Sequence, residues 1–270
     1  MLAVCATPIG NLDDVTLRVL DELRTADVVL CEDTRVTRVL LDRHEIKAKL
    51  LSYHEHNEAK RTAELVPRLV AGERMALVTD AGLPGVSDPG ARLVAAALDA
   101  GVPVTVLPGA SAVDTALVVS GLGAERFQFI GFLPRFENAL RELWAELAHW
   151  PHAVVAFESA QRLPRSLRSL AEAMPERHIA VARELTKFYE EIARGTAAEL
   201  AERFAEPPKG EIVLVLAPVT GAASDAVDPA AVDALRELVE AGAHPRRAAG
   251  VVAGLTGGSA NALYRALISQ

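Results

Sequence analysis

Asp80 to Gly90 read D-A-G-L-P-G-V-S-D-P-G, the stretch best suited to hold a ligand. Gly82, Gly85 and Gly90, with Pro84 and Pro89, forbid helix or strand over several residues. The apolar run Met75 to Val78 before them reads as a buried parallel strand. Asp88-Pro89 carries a helix-start signal, an N-cap followed by proline at the first helical position. Ordinary strand-to-helix turns are about two to six residues long. A longer loop with so little side chain offers backbone to a ligand, at the sheet edge where open α/β folds bind them.

Other candidate chemistry is thinner. His54 and His56 would share one side of a strand with Glu58 nearby, but such pairs more often form hydrogen-bonding surface, and no metal is expected. Ser111 follows a Pro-Gly turn and reads equally as a helix N-cap or a ligand contact. No G-x-G-x-x-G, G-x-x-x-x-G-K-S/T, C-x-x-C or H-E-x-x-H occurs, so dinucleotide, P-loop and metal-hydrolase readings lose their main support. Cys5 and Cys31 sit in apolar runs and read as reduced core residues. The net charge of −8 argues against a wholly basic nucleic-acid binder and leaves local patches open. No apolar run approaches a membrane span, and Pro8 and Gly10 cut short the N-terminal hydrophobic stretch. A cytoplasmic protein without a membrane partner is expected.

These loops need a scaffold. Leu2 to Ala6, Val28 to Cys31, Leu50 to Tyr53, Met75 to Val78 and Val102 to Leu107 read as strands, with helical stretches between them, which predicts a largely parallel sheet. The texture changes after Gly121. Phe127 to Phe132, Ala153 to Phe157, His178 to Ala182, Phe188 to Ile192 and Ile212 to Leu216 are further strand candidates, with helices around 137–148, 161–174 and 196–205. The third and fourth form a hairpin, so the second sheet is mixed. The expectation is two α/β domains, 1–122 and 123–218. A linker and small helical tail occupy 219–270, with helical faces at Val232, Leu235, Leu238 and Val239 and at Val251, Val252 and Leu255.

The polar, glycine-containing loops come in a specific order: TPIGN, EDTR, HNE, DAGLPGVSDPG and PGASA, then GFLPR, FES, ARELTK and KGE. In this order the chain resembles the tetrapyrrole methylase family over about residues 2 to 217. TPIGN, EDTR, HNE, SDPG and ARELTK point to its branch that methylates the ribose 2′-oxygen of a cytidine in 16S ribosomal RNA. Leu83, Ala110 and Phe157 depart from the family pattern. The resemblance implies S-adenosylmethionine folded into the cleft between the domains. The contacts it implies are Pro8, Gly10, Asp80, Ala81, Gly82, Val86, Ser111 and Ala112 from the first half. Phe132, Phe157, Glu158, Glu184, Gly210 and Glu211 come from the second. The donor is already activated, so the protein must align the atoms and take the hydroxyl proton. Glu184 and Lys187, three apart in ARELTK, are the candidates, with Glu32, Asp33 and Arg35 in reserve.

An RNA substrate needs cations. From Arg35 to Lys49 five basic residues (Arg35, Arg38, Arg43, Lys47, Lys49) face two acids (Asp42, Glu45). Arg162, Arg165 and Arg168 recur at helical spacing as one stripe. Arg35, Arg38, His56, Arg135, Arg162 and Arg165 are the expected RNA contacts, on 16S RNA within the small ribosomal subunit, and the resemblance implies a homodimer. Two alternatives stay open: a porphyrin-like C-methyltransferase, and a non-catalytic ribosome-assembly factor with a relic pocket. The tail resembles a helix-turn-helix unit in which Arg246, Arg247 and Arg265 face phosphates, or it packs on the second domain or a partner subunit.

Overall fold

The computed structural model describes residues 1–85, 88–123, 125–219, 228–256 and 258–268. Its first sheet contains β1 (Leu2–Cys5), β2 (Val28–Cys31), β3 (Leu50–Ser52), β4 (Met75–Leu77) and β5 (Val104–Leu107). All pairs are parallel, in the order β3-β2-β4-β1-β5. The central strands are apolar without alternation because both faces are covered. Leu2, Val4, Val28 and Leu30 pack under α3 (Glu58–Val70) and α4 (Ala91–Asp99), while Ala3, Cys5, Val29 and Cys31 pack under α1 (Leu17–Thr25) and α2 (Thr34–Arg43). Both cysteines are free and buried, and burial pushes the Cys5 thiol up to about 12.

The second sheet contains β6 (Phe127–Phe132), β7 (Ala153–Ser159), β8 (His178–Arg183), β9 (Glu191–Thr196) and β10 (Glu211–Leu216), in the order β6-β7-β10-β8-β9. Only β6 and β7 are parallel, so the sheet is mixed as expected. One face lies under α6 (Glu137–Leu147), α7 (Leu163–Ala173) and α8 (Ala197–Arg203), with Trp144, Leu140, Leu167 and Leu200 in its core. The other face is covered by α5 (Ala112–Ser120), whose Ala116 and Leu117 pack with Val155, Ala180, Ala182, Val213 and Val215. Arg194 on β9 donates from Nε to the Ser120 carbonyl at 2.8 Å and from Nη2 to that of Val119. A cation at a helix C-terminus satisfies orphan carbonyls and complements the helix dipole. Thus α5, although it follows β5 directly, is built into the second sheet.

Two local expectations need correction. The helix after the glycine-proline loop begins at Ala91 with Gly90 as N-cap at φ 141°, so Asp88 does not cap it. The strand expected from Phe188 begins only at Glu191, because the Glu190 N–H donates to the Lys187 carbonyl at 3.1 Å and holds Phe188 and Tyr189 in a turn. The C-terminal helices α9 (Pro229–Glu240), α10 (Pro245–Thr256) and α11 (Ala260–Ile268) share their own core of Val232, Leu235, Ala249, Val252 and Leu263. Among the described residues, no helix is long and apolar enough to cross a membrane.

Candidate functional site

Parallel strands end side by side, so the loops after β1, β4 and β5 meet at one sheet edge. Thr7 and Gly82 exchange backbone hydrogen bonds of 2.8 and 3.1 Å. The Thr7 hydroxyl donates to the Thr79 carbonyl at 3.0 Å. Gly109 lies so close to Ala6 that a Cβ on it would stand 2.9 Å from the Ala6 methyl. Pro8, Gly10, Asp80, Ala81, Gly82 and Ser111 all lie on these three loops, and Ala112 opens α5. Val86 falls outside the described residues. Ser111 is the N-cap of α5, accepting from the Asp114 N–H at 3.3 Å.

The reserve carboxylates flank this edge. The Asp33 N–H donates to Asp80 Oδ1 at 3.1 Å, and the Thr79 hydroxyl to Glu32 Oε2 at 3.1 Å. Burial raises the Asp80 carboxyl. Burial pushes Asp88 up to about 6, and the negative charges of Glu32 and Asp80 add to it. Arg35 is committed to Asp33 at 2.5 Å, and holds that carboxyl down at about 2.

The second half supplies the facing wall. Registers Glu211↔Ser159 and Ile212↔Arg183 bring the start of β10 between the ends of β7 and β8. Glu184 follows β8, and its N–H donates to the Glu211 carbonyl at 3.1 Å. Its Oε1 accepts from the Glu211 N–H at 3.1 Å and from Lys187 Nζ at 2.8 Å, and Nζ also reaches Glu211 Oε2 at 3.0 Å. The Lys187 hydrogen bond, the backbone hydrogen bond and nearby positive charge hold Glu184 below its usual range against burial. Burial pulls Lys187 down, but hydrogen bonds to Glu184 and Glu211 outweigh it and the ammonium is held up. This is a fixed ion pair, charged across the physiological range. Gly210 packs on the Glu184 side chain, where a Cβ would lie 2.5 Å from the carboxyl carbon.

The walls touch at Gly10. The Asn11 N–H donates to the Thr186 hydroxyl at 2.9 Å. Ile9 and Leu185 are buried in the same cluster as α5. The Thr7–Asn11 loop and the Glu184–Lys187 turn therefore form one continuous rim. Left-handed φ at two non-glycine residues costs about 1–3 kcal/mol each and persists only where the surroundings enforce it.

Not every expected residue reaches the rim's chemistry. Glu158 is 2 % exposed and saturated: Arg162 Nη2 lies 2.5 Å from Oε1, the Ser159 N–H 2.6 Å from Oε1, and the Ser166 hydroxyl 2.5 Å from Oε2. Arg162 also donates to the Leu133 carbonyl at 3.2 Å, so it is an internal tie rather than a solvent-facing cation. The arginine stripe is thereby broken: Arg162 turns inward, Arg165 donates to the Arg135 carbonyl, and Arg168 is exposed. Phe157 packs edge-on between Phe129 and Phe132, at 4.9 and 5.5 Å. The His54 ring is held by Asn57 at 3.0 Å. Glu58 accepts from the Tyr53 hydroxyl and the Gly90 N–H, each at 3.2 Å, which ties the glycine-proline loop to β3. No group of His, Cys, Asp and Glu suited to a metal occurs among the described residues. Arg38, His56 and Arg135 are exposed. Sequence reasoning missed Thr7, Thr79 and Thr186, whose roles depend on partners distant along the chain.

Comparison with known proteins adds the family. The model for "Tetrapyrrole (Corrin/Porphyrin) Methylases" matches residues 1–201. A Mesorhizobium japonicum protein named ribosomal RNA small subunit methyltransferase I is 46 % identical over 99 % of this chain and 91 % of its own. A Thermotoga maritima protein of the same name is 44 % identical over 80 % of this chain and 97 % of its own. That relative is shorter than this chain by roughly the length of the three-helix unit. Among solved structures, a uroporphyrin-III C-methyltransferase from Thermus thermophilus, complexed with S-adenosyl homocysteine, superposes with TM-score 0.57 at 20 % identity over 80 % of this chain and 96 % of its own. With two α/β sheets sharing one rim and relatives this similar over nearly its whole length, the chain belongs to the tetrapyrrole methylase family, among its ribosomal RNA small subunit methyltransferase I members.

Proposed function

We propose that this protein transfers a methyl group from S-adenosylmethionine to the ribose 2′-oxygen of a cytidine in 16S ribosomal RNA, within the small ribosomal subunit. The observation that carries this reading is the 46 % identity, along almost the full length, to a ribosomal RNA small subunit methyltransferase I. The porphyrin-methylating alternative rests on the description of the family model and on fold-level likeness at 20 % identity. A cytoplasmic homodimer, implied by the resemblance, belongs to the same proposal.

The rim suits the cofactor. Asp80, Glu184 and Glu211 make it acidic, which favours a sulfonium cation, and half-exposed Phe132 beside Phe157 offers an apolar face to adenine. Pro8, Gly10, Asp80–Gly82, Ser111–Ala112, Phe132, Phe157, Gly210 and Glu211 would hold it. S-adenosylmethionine supplies an already activated methyl group. The protein's task is then alignment and removal of one proton. Glu184 is a weak base because Lys187 neutralises it. The ribose oxygen becomes strongly acidic as it is methylated, so a weak but fixed carboxylate suffices at that moment. Glu184 Oε2 has no partner among the described residues and would take the proton. Lys187 keeps Glu184 ionised and oriented. Arg35, Arg38, His56, Arg135 and Arg165 are the proposed RNA contacts, with Arg35 sharing its charge with Asp33.

Incubation with labelled cofactor and either undermethylated small subunits or free tetrapyrrole tests the reading. Label is expected in 16S RNA alone, and label in the tetrapyrrole alone would overturn it. Glu184→Gln should lower kcat by about 10²–10⁴-fold while cofactor Kd stays within a few-fold. Lost cofactor binding with normal turnover at saturation would make Glu184 a cofactor clamp instead.

The three-helix unit is an accessory. Truncation after Pro218 should leave cofactor affinity intact, since the shorter Thermotoga maritima relative carries the same name. It should weaken methylation of small subunits and flatten the salt dependence of RNA binding, because Arg246 and Arg247 are exposed. Full activity with an unchanged salt slope would place the unit away from RNA.

A further inference from the structure

We propose that Phe188 and Tyr189 form a stacking platform for an unpaired base of the RNA substrate, with Lys209 taking an adjoining phosphate. This rests on the ribosomal RNA reading above. Phe188 is 92 % and Tyr189 69 % exposed, and their rings meet edge-to-face with centroids 5.0 Å apart. The chain has only 7 Phe, 3 Tyr and 2 Trp, so two adjacent rings in solvent on one loop are not background. Exposed apolar surface that folding does not use marks an interaction site more often than chance.

The loop that carries them is fixed. The Lys187 N–H donates to the Glu184 carbonyl at 3.0 Å, the Glu190 N–H to that of Lys187 at 3.1 Å, and the Thr186 N–H to Glu190 Oε2 at 2.7 Å. Stacking on such a turn orders few new torsions, which favours binding. Its position is equally specific, since Phe188 directly follows Lys187, the partner of Glu184 and Glu211. Arg183 Nη1 donates to the Lys209 carbonyl at 3.0 Å, which pins Lys209 at the foot of the same hairpin. Arg183 and Arg203 are both spent on Glu191. The exposed Lys209 ammonium has no partner among the described residues. Two exposed rings at the turn of the hairpin and one unpaired ammonium on the residue pinned at its foot match a base and a phosphate of one strand, the pairing that single-strand binders use.

The test uses the full chain in two assays. In the first, replacing Phe188 and Tyr189 together by Leu should raise KM for undermethylated small subunits about tenfold or more, as loss of a base–aromatic stack does. Cofactor Kd should not change, and Phe188→Trp with Tyr189→Phe should retain wild-type KM. In the second, wild type should quench a single-stranded oligoribonucleotide carrying 2-aminopurine beside a cytidine, and the Leu variant should not. Lys209→Ala should flatten the salt slope of that binding by about one. Unchanged KM and quenching in the Leu variant overturn the platform while leaving the methyltransferase reading intact. Wild type that quenches but labels no subunits overturns the methyltransferase reading and keeps the platform. Wild type that does neither removes both. A Leu variant that sediments as a smaller species while still quenching assigns the pair to an interface between two copies of the chain.

Discussion

Gly10→Ala is expected to weaken cofactor binding and to cut methyl transfer by about 10²-fold. A Cβ at Gly10 would stand 2.6 Å from the Leu185 carbonyl oxygen, 2.6 Å from Lys187 Cγ and 2.7 Å from the Thr186 hydroxyl. The Lys187 chain can swing aside, but the Leu185 carbonyl cannot. It belongs to a turn with left-handed residues on both sides, tied to β10 through the Glu184 N–H. Relief therefore requires the two rim loops to separate. That breaks the Asn11–Thr186 hydrogen bond and uncovers Ile9 and Leu185, both buried in the core that holds α5 against the second sheet. Overpacking of this kind costs about 1–3 kcal/mol. At about 2–4 °C per kcal/mol for a chain near this size, the melting temperature drops only modestly. The functional loss is larger than the stability loss, because a displacement near 1 Å in a positioning site can cost about 10²-fold in rate. Calorimetric titration with S-adenosylmethionine, beside a thermal melt, measures both. A folded Gly10→Ala protein with normal cofactor affinity and kcat/KM would mean that the two loops do not form one site.

Arg162→Ala should give the largest loss of stability. The Glu158 side chain is fully buried, and Arg162 is the only cation paired with it among the described residues. Without the guanidinium, Ser159 and Ser166 still donate, but the charge is uncompensated in a low-dielectric core. Removing one partner of a buried pair costs about 3–5 kcal/mol, which corresponds to a melting temperature lower by on the order of ten degrees. Replacing the pair together, as Glu158→Leu with Arg162→Met, should recover much of the loss because no charge is then stranded. Thermal melts of the single and double variants check this. A phosphate-binding role for Arg162 predicts the opposite pattern, with an unchanged melt and a salt slope of RNA binding flatter by about one.

Much of this protein was legible in its residues. The first-sheet strands are short apolar runs bounded by glycine, proline and charge, and apolar spacing marks α9 and α10 in the tail. Each signal is local, because side chains at fixed spacing report which face of their own element is buried. The order of the loops carried the family. Which residues would touch across the fold was not legible. Asn11 and Thr186 are 175 positions apart, and nothing in either loop encodes the other. Arg162, Arg165 and Arg168 have the spacing of a solvated stripe. Only packing of α7 on β7 turned the first of them inward, because Glu158 at the end of β7 needed a cation. Phe188 and Tyr189 have strand propensity, yet the hydrogen bonds from the Glu190 N–H to the Lys187 carbonyl and from the Thr186 N–H to the Glu190 carboxylate hold them in a turn. Local pattern determined the elements and the backbone character of the loops. Tertiary structure decided which loops meet, which charges pair and which rings stay in water, since each outcome depends on contacts between elements rather than on residue spacing within one.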